Sequence, residues 1–284
     1  MTTLRARMVA LRPAQWVKNV PVAAPLLFGH RLADPSARLS TFGAFVAFCA
    51  VASAGYLVND VRDRATDRVH PRRAERPVAR GDLGPREALA TAAVLGGLAL
   101  TAAAWLLPSG VASVLAGYLA LSLAYSLGLK RLAPLAVLVV AVGFVARVLA
   151  GAHAARVPPS PWLLTLVGLL ALALAVSKRE AEARRLAGTA PRALARATDG
   201  LLLAAWLGYV AYGLDPGTVA LHGTHLLPFT SLPVAAALLR FRARLRADVT
   251  GVGPAELVAT DPVLLALGAL WAVACAIVVG AGLR

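Results

Sequence analysis

The sequence predicts an all-α, polytopic membrane protein of about nine transmembrane helices. Three observations carry that prediction. Of the 284 residues, 59% are hydrophobic and only 15% are charged. The apolar residues fall in long blocks rather than at amphipathic spacing, and a hydrocarbon core of about 30 Å needs roughly 20 of them per helix. Finally, when the blocks are taken as spans and the N-terminus is placed in the cytoplasm, 24 of the 29 Lys and Arg residues fall in the inner segments, as the charge bias of cytoplasmic loops requires. The expected organisation is a single membrane-embedded domain over 1–284, with no soluble domain and no internal repeat.

The blocks run at 20–30, 39–58, 88–107, 111–128, 134–153, 162–177, 197–214, 226–239 and 262–282. The first is the weakest, because Pro21 and Pro25 interrupt it. Arg5, Arg7, Arg12 and Lys18 ahead of it suggest a secretory signal. No small-residue cleavage pattern precedes Arg31, however, and polar Gln15, Trp16 and Asn19 stand where the apolar run should begin, so the block is kept as mature structure. The other blocks alternate with loops whose charge changes side as expected. The outer segments hold Arg31, Arg38, Arg156 and Arg284, and Arg147 alone falls within a span. One missed span would invert every later loop, so the bias supports both the count and the orientation. The expected location is the cytoplasmic membrane, multi-pass, with N-terminus and active site inside. Because this bias explains most of the +15 net charge, nucleic acid is not the expected partner. A homo-oligomer is compatible with the sequence.

Cys49 and Cys275 both lie in spans and read as small core residues. The pair His222 and His225 reads as an outer loop, with metal binding remote.

The chemistry concentrates in Asn59-Asp60-Val61-Arg62-Asp63, continuing to Asp67, where the second span ends. On a continuing helix Asn59, Asp63 and Asp67 stand one turn apart, with Asp60 beside the first, so all project to one side. Like charges at that spacing need a positive partner. Local arginines, Arg62, Arg64 and Arg68, are one candidate. Mg2+ is the sharper one, because it takes one or two carboxylates and leaves its other positions to water and phosphate oxygens. Arg72, Arg73, Arg76 and Arg80 follow on a loop set by Pro71, Pro77 and Gly81; guanidinium groups grip phosphate through two hydrogen bonds, though ordinary inner-loop charge is the alternative. The chain has 26 arginines and three lysines, Lys18, Lys130 and Lys178, all at expected cytoplasmic ends of spans. A compact ammonium kept there points to a phosphate contact, with chance placement the alternative because most basic residues fall on that side. A second cluster, Lys178-Arg179-Glu180-Ala181-Glu182, ends a span four spans later.

The Gly55 to Asp67 stretch with His70-Pro71 and Arg76-Pro77 resembles the first aspartate-rich motif of the UbiA superfamily of intramembrane prenyltransferases. Leu11 to Asn19, Ala124 to Lys130 with Gly143 to Arg147, and Lys178 to Glu182 resemble, within it, the decaprenyl-phosphate phosphoribosyltransferase branch of cell-wall arabinan synthesis. The resemblance implies nine helices around a central cavity, a cytoplasmic active site, Mg2+ as cofactor, and a lateral opening for lipid. The chain departs from that pattern at Glu180, where the branch carries Tyr, at Ala136, where it carries Asp, and over Arg196-Ala197-Thr198-Asp199.

Two reactions fit. In the first, 5-phosphoribosyl passes from phosphoribosyl diphosphate to a polyprenyl phosphate. In the alternative, a prenyl group passes from a prenyl diphosphate to an aromatic acceptor such as 4-hydroxybenzoate. Both need the diphosphate leaving group stabilised, but a polyprenyl phosphate is itself anionic and demands more cations. Lys178 and Arg179 stand where the aromatic prenyltransferases carry a second aspartate motif, which ranks phosphoribosyl transfer first.

The resemblance implies a catalytic set of Asp60, Asp63, Asp67, Lys178 and Glu182, with Asn59, Asp63 and Asp67 as metal ligands. It also implies substrate contacts from Lys18, Tyr56, Asn59, Arg72, Arg73, Arg76, Tyr125, Lys130, Arg147 and Arg179. Arg147 lies well inside a span, a costly place that implies a substrate or a structural partner. A transporter of lipid or anion is the third reading; it would want ionisable groups near the midplane, and the clusters instead lie at helix ends.

Overall fold

The computed structural model describes residues 3–71, 73–247 and 253–281; these are helical, with no strand among the described residues. The chain divides into two compact units, Met1–Ser160 and Pro161–Arg284.

Unit 1 opens with α1 (Thr3–Ala10), a 3-10 segment over Pro13–Ala23, and α2 (Ala24–Phe28). Pro13, Pro21 and Pro25 each remove a backbone donor, so this stretch breaks into short pieces instead of forming the span expected at 20–30. α3 (Pro35–Arg62) starts at a strong cap: Asp34 accepts from the backbone N–H of Ser36 at 2.8 Å and of Ala37 at 3.2 Å, and Pro35 fits the first turn. Its 28 residues, at about 1.5 Å each, exceed the thickness of a hydrocarbon core. Its last turn therefore delivers Asn59 and Asp60 to a polar boundary. The helix breaks at Asp63, resumes as α4 (Arg64–Arg68), and leads to α5 (Pro77–Arg80), ended by Gly81 at φ +94°. The unit closes with α6 (Pro85–Leu106), α7 (Val111–Leu127) and α8 (Ala133–Ala155).

α3 packs on α6, α7 and α8, and the 3-10 segment packs on α3 and α8. The core sets Val22, Phe48, Val51, Val111 and Leu115 among alanines. Small residues let these backbones approach closely. A Cβ on Gly55 would lie 2.4 Å from Ser122 Oγ, and one on Gly151 would lie 2.0 Å from the Val22 carbonyl oxygen.

Unit 2 comprises α9 (Pro161–Ala187), α10 (Arg192–Leu214), α11 (Pro216–His222), α12 (Ser231–Ala247), α13 (Pro254–Thr260) and α14 (Pro262–Ala281). α9 packs on α10 and α12 on α14, around Ala173, Leu202, Phe241, Leu245, Leu257 and Leu264. His222, expected on a loop, is instead fully buried at the end of α11, its Nε2 2.7 Å from Tyr212 Oη. A loop assignment fails because the chain turns back there: α11 and Leu227–Ala247 meet at 94°. Both cysteines are free and buried, as expected.

Among the described residues five helices are long and apolar enough to cross a bilayer, Pro35–Arg62, Pro85–Leu106, Pro134–Ala155, Pro161–Ala187 and Pro262–Gly280, or six if the bent pair counts as one span. Their outward faces carry exposed Leu39, Phe42, Leu98, Trp105, Leu270 and Ile277, a surface suited to lipid. The remaining blocks are helical but fall short of that test: 111–128 forms a 17-residue helix, 197–214 lies in α10 and contains Asp199, and 20–30 has no helix of span length. The expected count of nine is thus not reached by length and composition among the described residues.

Candidate active site

The acidic strip at the end of α3 is held as two groups. Backbone hydrogen bonds from Asp63 N to Asn59 O, 2.9 Å, and from Asp67 N to Asp63 O, 2.8 Å, keep the helical spacing across the break. In the first group Asn59 Nδ2 donates to Asp63 Oδ2 at 3.1 Å, and Lys130 Nζ donates to Asn59 Oδ1 at 3.1 Å and to Asp63 Oδ1. Lys130 comes from the short 3-10 turn joining α7 to α8. In the second group Asp60 and Asp67 are both buried and share Arg76, whose Nη1 lies 2.6 Å from Asp67 Oδ2 and 3.2 Å from Asp60 Oδ1. Arg12 also donates to Asp60 Oδ1, and its guanidinium lies 5.1 Å from the centre of the Tyr56 ring.

The compensating cations are therefore distant in sequence. Arg64 and Arg68, candidates for local neutralisation, instead donate to the carbonyls of Val78 at 3.2 Å and Ala79 at 3.0 Å, fastening α4 to α5. That attachment fixes the loop bearing Arg76. Arg73 stands 3.8 Å from Asp67 Oδ1, too far to hydrogen-bond. Arg72 lies outside the described residues.

Arg147 is buried in α8. Its Nε donates to Asn19 Oδ1 at 2.8 Å, Nη1 to the Gly143 carbonyl at 2.6 Å and Nη2 to Tyr118 Oη at 3.0 Å, with the rings of Phe48, Tyr118 and Phe144 at 4.8 to 5.3 Å. Neutral acceptors and aromatic faces thus hold a charge that would be costly in lipid. Lys18 and Tyr125 are half-buried, on the 3-10 segment and on α7.

In unit 2, Lys178 is exposed in the C-terminal half of α9, with Arg179 and Glu182 beside it: Arg179 Nη1 donates to Glu182 Oε2 at 3.1 Å, and Lys178 Nζ lies 3.9 Å from Oε1. Cations predominate on that face. Glu180, one residue on, is buried against Arg242 and Arg184.

Two residues of this arrangement escaped sequence reasoning. Arg12 lay within a noted stretch but carried no spacing signal towards Asp60, and Arg242 looked like ordinary inner-loop charge.

Among the described residues no three His, Cys, Asp or Glu side chains stand close enough to form a ready-made metal cage. A hard divalent ion that brings its own phosphate oxygens needs only one or two carboxylates. Asp60 Oδ2 and Asp67 Oδ1 are buried without a hydrogen-bond partner among the described residues, whereas the side-chain oxygens of Asn59 and Asp63 accept from Lys130 and from Asn59 Nδ2. The donor set fits Mg2+ arriving with a diphosphate.

Residues 20–258 match the sequence profile of the UbiA prenyltransferase family. The chain belongs to that family. A decaprenyl-phosphate phosphoribosyltransferase of Mycolicibacterium smegmatis is 35% identical over 92% of this chain and 88% of its own. One from Mycobacterium tuberculosis is 36% identical over 92% of this chain and 90% of its own. The fold resembles that of a UbiA homolog from Archaeoglobus fulgidus bound to DMAPP and Mg2+, with a TM-score of 0.69 at 18% identity, covering 96% of this chain and 98% of that one. This UbiA family member is a multi-pass membrane transferase.

Proposed function

We propose that this transferase moves 5-phosphoribosyl from phosphoribosyl diphosphate to a polyprenyl phosphate of the decaprenyl type, releasing diphosphate, in a Mg2+-dependent reaction that supplies cell-wall arabinan precursors. The observation that carries the reading is the cationic face of α9, where exposed Lys178 and half-buried Arg179 suit an acceptor that is itself a phosphate. The likeness to decaprenyl-phosphate phosphoribosyltransferases over nearly the whole chain supports it.

In this reading an oxygen of the lipid phosphate attacks the anomeric carbon while the bond from that carbon to the diphosphate breaks, the electron pair leaving with diphosphate. Lys178 and Arg179 neutralise the acceptor, and Arg72, Arg73 and Arg76 take the phosphate of the ribose. Asn59, Asp63 and Asp67, with the open oxygen of Asp60, would hold Mg2+, which when bound would offset the charge developing on the leaving group. Glu182 orients a ribose hydroxyl. Tyr56, under the Arg12 guanidinium, and Tyr125 line the approach. The chain works from the cytoplasmic face of the cell membrane with its N-terminus inside, the orientation that the distribution of Lys and Arg favours.

Prenyl transfer to an aromatic acceptor is the second reading, favoured by the fold's likeness to a UbiA homolog bound to DMAPP. Membranes containing the protein, given labelled phosphoribosyl diphosphate and a polyprenyl phosphate, are expected to move label into lipid, to stop when EDTA removes divalent ions, and to recover with Mg2+. Label entering lipid only from a prenyl diphosphate with an aromatic acid would replace the first reading by the second.

A further inference from the structure

Glu180 has no exposed surface, and a carboxylate so placed must be matched by cations held in good geometry. Arg242 Nη1 lies 2.7 Å from one of its oxygens and 2.8 Å from the other, and Arg184 Nη2 adds a third contact at 2.6 Å. The same Arg242 reaches α10, where Nε donates to Asp199 Oδ1 at 2.5 Å and Nη2 to the Ala195 carbonyl at 3.3 Å. Arg184 Nη1 returns the link, donating to the Leu245 carbonyl of α12 at 2.7 Å. One guanidinium thus joins α9, α10 and α12 at a single point of unit 2.

Apolar packing of the same volume would hold three helices together at least as well. What the planar fork adds is register, because its hydrogen bonds form at one rotation of the helix and are lost at others. On α9, at about 3.6 residues per turn, Lys178, Arg179 and Glu182 fall on one side while Glu180 and Arg184 fall on nearly the opposite side. Fixing the buried side fixes the direction in which the exposed side presents its charge.

We propose that Arg242 is a positioning residue for the anionic acceptor: by gripping Glu180 it sets the axial rotation of α9 and so aims Lys178 and Arg179. The proposal rests on the reading of Lys178 and Arg179 as the acceptor's phosphate contacts. It assigns Arg242 no contact with substrate.

The test is steady-state kinetics on the purified full chain, with polyprenyl phosphate varied at saturating donor and the donor varied at saturating acceptor. Arg242→Lys keeps the charge and loses the fork. It is expected to raise the acceptor KM about tenfold, the equivalent of one charge-assisted hydrogen bond, with donor KM and kcat changed by no more than about twofold. Lys178→Ala, measured alongside, reports on the underlying reading. An unchanged acceptor KM in Lys178→Ala overturns that reading and the proposal with it. A raised acceptor KM in Lys178→Ala with an unchanged one in Arg242→Lys overturns the proposal alone. If Arg242→Lys does not fold, Glu180→Gln, which keeps the shape and removes the charge, takes its place under the same expectations. A lowered melting temperature with both KM values unchanged marks a purely structural tie and overturns the proposal.

Discussion

The Arg76 guanidinium lies 2.6 Å from the buried Asp67 carboxylate. The same nitrogen is 3.2 Å from Asp60, so a single loop side chain holds two buried carboxylates, one near the end of α3 and one on α4. Removing it leaves Asp67 with only the 3.8 Å approach of Arg73 among the described residues. Arg76→Ala is therefore expected to cost about 3–5 kcal/mol, the penalty for a buried charge deprived of its partner. Thermal melting in detergent reads the loss, and adding Asp67→Asn should return part of it. A double variant melting below the single one would show that Asp67 stabilises the loop by some other route.

Asp63 is half-buried and held by Lys130 and Asn59. Asp63→Asn keeps the shape and removes the charge. Turnover should fall on the order of 10²- to 10³-fold while melting changes little, since the lost interaction is one made to developing charge. Activity within about twofold of the parent would take Asp63 out of the chemistry.

Arg147 gives its donors to Asn19, Gly143 and Tyr118 inside unit 1. Replacing it by Met leaves those acceptors buried and unmatched, at a cost of about 2 kcal/mol or more. The folded fraction should keep its KM for donor and acceptor. A tenfold rise in either KM at unchanged melting temperature would mean that the guanidinium reads substrate.

Gly151→Ala places a methyl group 2.0 Å from the Val22 carbonyl, against backbone that cannot turn aside. The 3-10 segment must shift away from α8, and Asn19 moves with it. The expected penalty is at the upper end of the 1–3 kcal/mol typical of overpacking. Gly117→Ala in α7 is the control, because a Cβ there meets nothing within 4 Å; it should melt at the parent temperature or slightly above.

Much of the fold was legible because lipid imposes a simple rule on sequence. Blocks such as 39–58 and 162–177 became the cores of α3 and α9. The exceptions have local causes: prolines break the stretch around Val22, and the first two turns of α10 carry Arg192, Arg196 and Asp199. The acidic strip was legible as a spacing, but its partners were not. Arg12 and Lys130 reach it from 48 and 67 or more residues away, a separation at which no periodicity links residues. The departures at Glu180 and Asp199 looked unrelated in sequence, yet both meet on Arg242. Their chemistry is joined only by the packing of three helices.

The run of arginines along α12 has a consequence for the protein's far field. Arg240 and Arg244 are bound to Asp261, and Arg242 and Arg246 to Asp199. Asp199 and Asp261 thus offset half of this segment's four positive charges at contact range, so the +15 net charge, which already counts them, is carried mostly by other parts of the sequence. An anion drawn in by long-range attraction is accordingly steered to those parts rather than to α12, and salt should slow its capture.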